Sequence, residues 1–116
     1  TVHGLYVIDL PGAPRALALR DDEEKMREDY RKYGDDVLDD LSEIGDEHGV
    51  EVVSDMRTGT PSEEIVAYAR DEGMDAIVMG SAYRGTIGGL LGGTMDKVVR
   101  SATVPVVSQR MQMDEI

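Results

Sequence analysis

Cysteine, tryptophan and phenylalanine are all missing from this chain of 116 residues. The lack of cysteine excludes disulfides and thiolate metal sites and fits a cytoplasmic protein. The lack of Phe and Trp means that a core must be built from Val, Ile, Leu, Met, Ala and Tyr. Met26, Met74, Met79, Met95, Met111 and Met113 therefore read as core filler in place of aromatic rings. Positive charge is also scarce: 12 Lys and Arg stand against 24 Asp and Glu, for a net charge of −12. Lysine occurs only at Lys25, Lys32 and Lys97. Self-repulsion of that size argues against nucleic acid or an acidic membrane surface as a partner. It suits a salt-rich cytoplasm, where the Debye length falls to ~3 Å near 1 M, and the acidic, lysine-poor balance resembles proteins of salt-loving microbes. No apolar run approaches the ~20 residues of a membrane span.

Several kinds of chemistry lack their residues. His3 and His48 are lone histidines with no His-x-x-x-His pair, so no zinc site is expected. His48 falls where a packing or capping role is the simpler one. The acidic groups Asp21–Glu24, Asp35-Asp36 and Asp39-Asp40 read as a solvated helix face rather than a cation site. Ser62 and Ser81 have no neighbouring base and sit in no nucleophile elbow. No catalytic set emerges, and the expectation is a protein that is not an enzyme.

What the chain does contain is strand–helix alternation. Val2–Asp9 is a strand candidate, broken by Pro11-Gly12, and residues 10–20 form a loop. Asp21 with Glu24 gives a capping-box start to a helix. Its apolar residues Met26, Tyr30, Tyr33, Val37, Leu41, Ile44 and His48 recur every three or four positions as one stripe. Gly49 is placed to end that helix in a left-handed turn. Glu51–Met56 reads as the second strand, and Thr60-Pro61-Ser62-Glu63 opens a helix with Ile65, Val66 and Ala69 on its buried face and Gly73 at its end. Ala76–Met79, apolar throughout, predicts a strand buried on both faces. Thr94–Ser101 predicts the last helix, with Val98 and Val99 inward, and Val106–Gln109 the last strand. The expected class is α/β with a mostly parallel sheet in a single domain over residues 1–116.

The richest segment joins the last two strands. Gly80, Gly85, Gly88, Gly89, Gly92 and Gly93 crowd a short loop where backbone can approach a ligand closely, and this loop is expected to be mobile when empty. It ends at Thr94, at a helix start whose free N–H groups and dipole favour an anion. The lysine of a Walker A loop is absent, and no Gly-x-Gly-x-x-Gly follows the first strand. In this loop, and in Leu5–Asp9, Gly59-Thr60-Pro61, Asp75–Ser81, Val98-Val99 and Thr103–Val107, the chain resembles the universal stress protein family.

The resemblance implies the parallel-sheet α/β sandwich of that family and a regulatory protein in the stress response that binds ATP or AMP. It places adenine and ribose near the backbone of Val7 and Met79, and phosphates on Gly80, Gly93, Thr94 and Met95. It also implies a homodimer paired through the final strand, Val106–Gln109. Two departures stand beside it. The family's second loop glycine falls at Tyr83, with Arg84-Gly85 next to it. The family's opening strand and helix have no counterpart, so the sequence is expected to be incomplete at its N-terminus, or else to close its sheet in the order 3-2-4-5 or borrow a strand from another subunit. These departures keep a second reading open, a nucleotide-free dimeric interaction module of the same fold.

Overall fold

The computed structural model describes residues 1–9, 20–82 and 93–111. Its element order is β1 (Val2–Ile8), α1 (Arg20–Glu47), β2 (Val52–Thr58), α2 (Pro61–Asp71), β3 (Ile77–Ala82), α3 (Thr94–Ser101) and β4 (Val106–Met111). The chain divides into two compact units, Thr1–Pro61 and Ser62–Ile116. Each holds a parallel two-stranded sheet, β1–β2 in the first and β3–β4 in the second. The expected order 3-2-4-5, in which strands 2, 3, 4 and 5 are β1, β2, β3 and β4, is not found: among the described residues β1 pairs with β2, and β3 with β4.

In the first unit β1 and β2 run in register from Val2 opposite Val52 to Ile8 opposite Thr58. Ile8 is almost fully buried, and Leu38 of α1 is buried too. The helix lies close on the sheet because three glycines remove side chains at the contact. A Cβ on Gly34 would lie 2.5 Å from the Tyr6 ring and 3.0 Å from Met56, and one on Gly45 2.5 Å from Val52. In β1, a Cβ on Gly4 would strike Leu41. The sheet-facing line of α1 is therefore Gly34, Leu38, Leu41 and Gly45. It sits about one residue round from the stripe the apolar periodicity picks out. Met26, Tyr30, Tyr33, Val37 and Ile44 are exposed, which corrects Met26 as core filler.

Both long helices stop as glycine dictates. Gly49 has φ 68° and Gly73 φ 66°, the left-handed conformation that glycine adopts without a Cβ penalty. Val50 N–H donates to the Gly45 carbonyl at 2.8 Å, and Gly49 N–H to Asp46 at 3.3 Å. Met74 N–H donates to Ala69 at 2.8 Å, and Gly73 N–H to Arg70 at 3.2 Å. These are paired Schellman bonds that satisfy the last helical carbonyls. His48 takes the capping role, its Nδ1 lying 2.9 Å from the Ile44 carbonyl. At the other end the described part of α1 runs from Arg20, so Asp21 lies within the helix rather than before it.

The second unit packs α2 and α3 on one side of β3–β4. Ala69, Ile77 and Val98 form its buried centre, with Ile65, Val66, Met74, Met79, Ala102, Val104 and Val106 around them. Two expectations fail here for the same reason. Val78 is 73% exposed and Val99 55% exposed, so β3 buries one face, not two, and of the α3 pair Val98 alone turns inward. Ile77 and Met79 turn toward the helices while Val78, between them, points to the opposite face of the pleat. The strands also overrun their expected ends. Gly80, Ser81 and Ala82 continue the ladder opposite Gln109, Arg110 and Met111, because backbone pairing does not require the apolar side chains by which a strand is read from sequence.

Candidate functional site

Five of the six residues expected to meet a nucleotide lie in the second unit, on two elements. Met79 is half-buried, its side chain packed against the Ala69–Ile77–Val98 core. Its backbone, not its side chain, is thus what a ligand could reach. Gly80 follows, exposed, at the fourth position of β3 rather than beyond its end. Gly93 is the N-cap of α3, in an extended conformation with φ −78° and ψ 172°. Thr94 is exposed at the first helical position, and Met95 is half-buried behind it.

The start of α3 has the features of an anion seat. Lys97 N–H donates to the Gly93 carbonyl at 3.1 Å, closing the first helical turn. The N–H groups of Thr94, Met95 and Asp96 precede that bond and have no acceptor within the helix. The cap makes no side-chain hydrogen bond to them. Three amides at the positive end of the helix dipole, with the Thr94 hydroxyl beside them, suit a phosphate oxygen.

Asp96 is the residue that sequence reasoning missed. Its carboxylate sits in the same first turn and is only about a third exposed. It lies 3.4 Å from the Arg100 guanidinium, an i,i+4 pair along the helix. That arginine partly offsets its charge. The signal was present in the sequence as an acid four residues before a base.

The sixth residue, Val7, belongs to the first unit. It is half-buried near the carboxyl end of β1, opposite Arg57. Tyr83, Arg84, Gly85, Gly88, Gly89 and Gly92 lie outside the described residues, as do residues 10–19 and Met113. A depression of about 220 Å³ between Val66, Arg70, Gly73, Ile77 and Thr103 sits at the amino ends of β3 and β4. No expected nucleotide residue lines it, and ligands of parallel α/β sheets bind at the opposite, carboxyl end. Among the described residues no group of three or more His, Asp or Glu is placed to hold a metal ion. No described helix is long and apolar enough to cross a membrane.

Parallel strand–helix–strand units define an α/β protein. The family model described as the Universal stress protein family matches residues 1–108, and the chain belongs to that family. It is 30% identical over 107 residues to a universal stress protein of Methanocaldococcus jannaschii, covering 91% of this chain and 62% of the relative. The chain thus spans about three fifths of the length of that relative and of another from Bacillus subtilis, of which it covers 60%. Among solved structures, universal stress protein UspA from Lactobacillus plantarum superposes with a TM-score of 0.80 at 22% identity, over 93% of this chain and 76% of that one. That likeness establishes the fold. A family member from Arabidopsis thaliana, solved with AMP bound, superposes with a TM-score of 0.68 at 25% identity, over 97% of this chain and 66% of that one.

Proposed function

We propose that this chain is a regulatory protein of the stress response that binds an adenine nucleotide, ATP or AMP, and is not an enzyme. The phosphates rest on the amides of Gly93, Thr94 and Met95 and against Gly80, and the base lies along the backbone near Met79. The observation that carries this reading is the uncapped start of α3, whose amides of Thr94 to Asp96 have no partner in the helix. The AMP held by the Arabidopsis family member is its second support. Two protomers pair through the last strand, β4, in this reading, since edge pairing covers backbone groups.

One observation favours the nucleotide-free interaction module instead, the Asp96 carboxylate within the first turn of α3. A phosphate must be held despite that charge. Titration calorimetry with ATP and with AMP in high salt separates the two readings. Nucleotide binding predicts heat with the natural chain, and a gain of about two- to fivefold in affinity for Asp96→Asn, the factor matching ~0.3–1 kcal/mol for a charge at a helix end. Gly93→Val should abolish binding. No heat with either the natural chain or Asp96→Asn would leave the interaction module as the function.

A further inference from the structure

The apolar stripe of α1 is only partly covered in its own unit: Tyr33 meets Tyr6 edge-on and Leu41 packs at Gly4, while the rest of the stripe stays open. Met26 is 40% exposed, Tyr30 37%, Tyr33 60%, Val37 38% and Ile44 53%. They follow one another at intervals of four, three, four and seven residues; the heptad position inside the last gap is Asp40, and half-buried Leu41 beside it turns to the sheet. Those intervals are the heptad spacing of a seam that meets another helix, whereas a sheet is already met by Gly34, Leu38, Leu41 and Gly45. The seam is long: from Met26 to Ile44 it runs roughly 27 Å at 1.5 Å per residue, about five turns.

Charge says which helix fits. Within Arg20–Glu47 there are 13 acidic and 5 basic residues. Beside the carboxyl half of the seam the imbalance is complete, for residues 33–47 hold seven Asp and Glu and no Lys or Arg. A second copy of α1 laid on the seam would bring two such acidic helices together, which costs self-repulsion. We infer that the Met26–Ile44 face of α1 is a docking site for a basic amphipathic α-helix of another protein, about five turns long. Its apolar residues would cover Tyr33, Val37 and Ile44, and its Lys or Arg side chains would lie beside Asp36, Asp40, Glu43 and Glu47. Nucleotide binding at α3 plays no part in this inference.

The test uses two synthetic peptides of about 18 residues made of leucine and lysine, one with leucines at heptad a and d positions and one of the same composition scrambled. Binding to the full chain is measured by fluorescence anisotropy, with the Val37→Gln/Ile44→Gln double variant as the comparison. That variant keeps the net charge and places a good helix former at exposed positions, and circular dichroism verifies its fold. The expected result is that the amphipathic peptide binds about tenfold or more tighter than the scrambled one, and that the double variant loses that advantage, as for residues central to an interface. Equal binding of the two peptides means bulk charge alone and overturns the inference, as does undiminished preference in the double variant. Sedimentation of the chain alone supplies the last outcome: a dimer that the double variant converts to monomer makes a second copy the occupant, and the inference falls.

Discussion

Tyr6 links local packing to a measurable property. Its ring lies against α1 where Gly34 leaves room, and it meets Tyr33 edge-on with centroids 5.9 Å apart. Burial pushes the Tyr6 phenol above the ordinary tyrosine value, and the neighbouring phenols of Tyr33 and Tyr30 push in the same direction. The folded protein therefore holds this proton more tightly than the unfolded chain does. Stability from this group is complete below the unfolded value near ~10 and is lost as pH rises through the higher folded value. Absorbance titration at alkaline pH should show tyrosine ionisation above the ordinary value, and Tyr6→Phe should reduce that high-pH component. The same substitution should flatten the fall in urea midpoint above pH ~10. A high-pH component that is undiminished in Tyr6→Phe would assign it to another ring.

At the scale of the element, small residues decide what apolar patterning cannot. The ends of α1 and α2 were legible because Gly49 and Gly73 signal a left-handed turn directly, and both adopt it. The start of α3 was legible from the Gly93-Thr94 pair, and its span of Thr94–Ser101 is the one observed. The orientation of α1 was not legible. Hydrophobic periodicity ranks side chains, and the residues that touch the sheet include Gly34 and Gly45, which carry none. For the same reason Val78 and Val99, apolar in a sequence of apolar neighbours, gave no sign that their side of the sheet or helix would be open. Asp96 went unread because its importance depends on three amides that only the folded turn presents.

Gly45 tests this account of α1. Alanine there gains up to ~1 kcal/mol of helix propensity. Its Cβ would stand 2.5 Å from a Val52 methyl carbon and 2.8 Å from the Val50 carbonyl oxygen. The carbonyl is backbone and already accepts no easy shift, because Val50 N–H is tied to the Gly45 carbonyl. Overpacking of this sort costs about 1–3 kcal/mol, so the clash outweighs the propensity. Gly45→Ala should lower the urea midpoint, whereas an unchanged or raised midpoint would mean that the helix does not lie as close to β2 as Gly45 allows.

For the molecule as a whole, charge is the dominant feature. Most of the net −12 gathers on α1, with its 13 acidic and 5 basic residues. Two salt effects oppose each other. Exposed ion pairs such as Arg100–Asp96 at 3.4 Å and Arg70–Asp71 at 3.8 Å weaken as salt rises, but each is worth only about 0–1 kcal/mol. Repulsion among acids that outnumber bases two to one is spread over many pairs, and screening relieves all of them together as the Debye length falls from ~30 Å at 0.01 M to ~3 Å at 1 M. Repulsion wins, so the melting temperature should rise with potassium chloride and level off near ~1 M, where screening is complete. Each 1 kcal/mol of relief corresponds to ~4–8 °C in a domain of this size. Replacing Asp35, Asp36, Asp39 and Asp40 by Asn should flatten the curve at its low-salt end, because those four carboxylates crowd two turns of one helix. A continued linear climb beyond 1 M would point to salting-out of apolar surface rather than screening. A melting temperature that stays level or falls as salt is added would remove charge repulsion as the main cost this fold carries, and with it the physical reason for reading the acidic composition as an adaptation to salt.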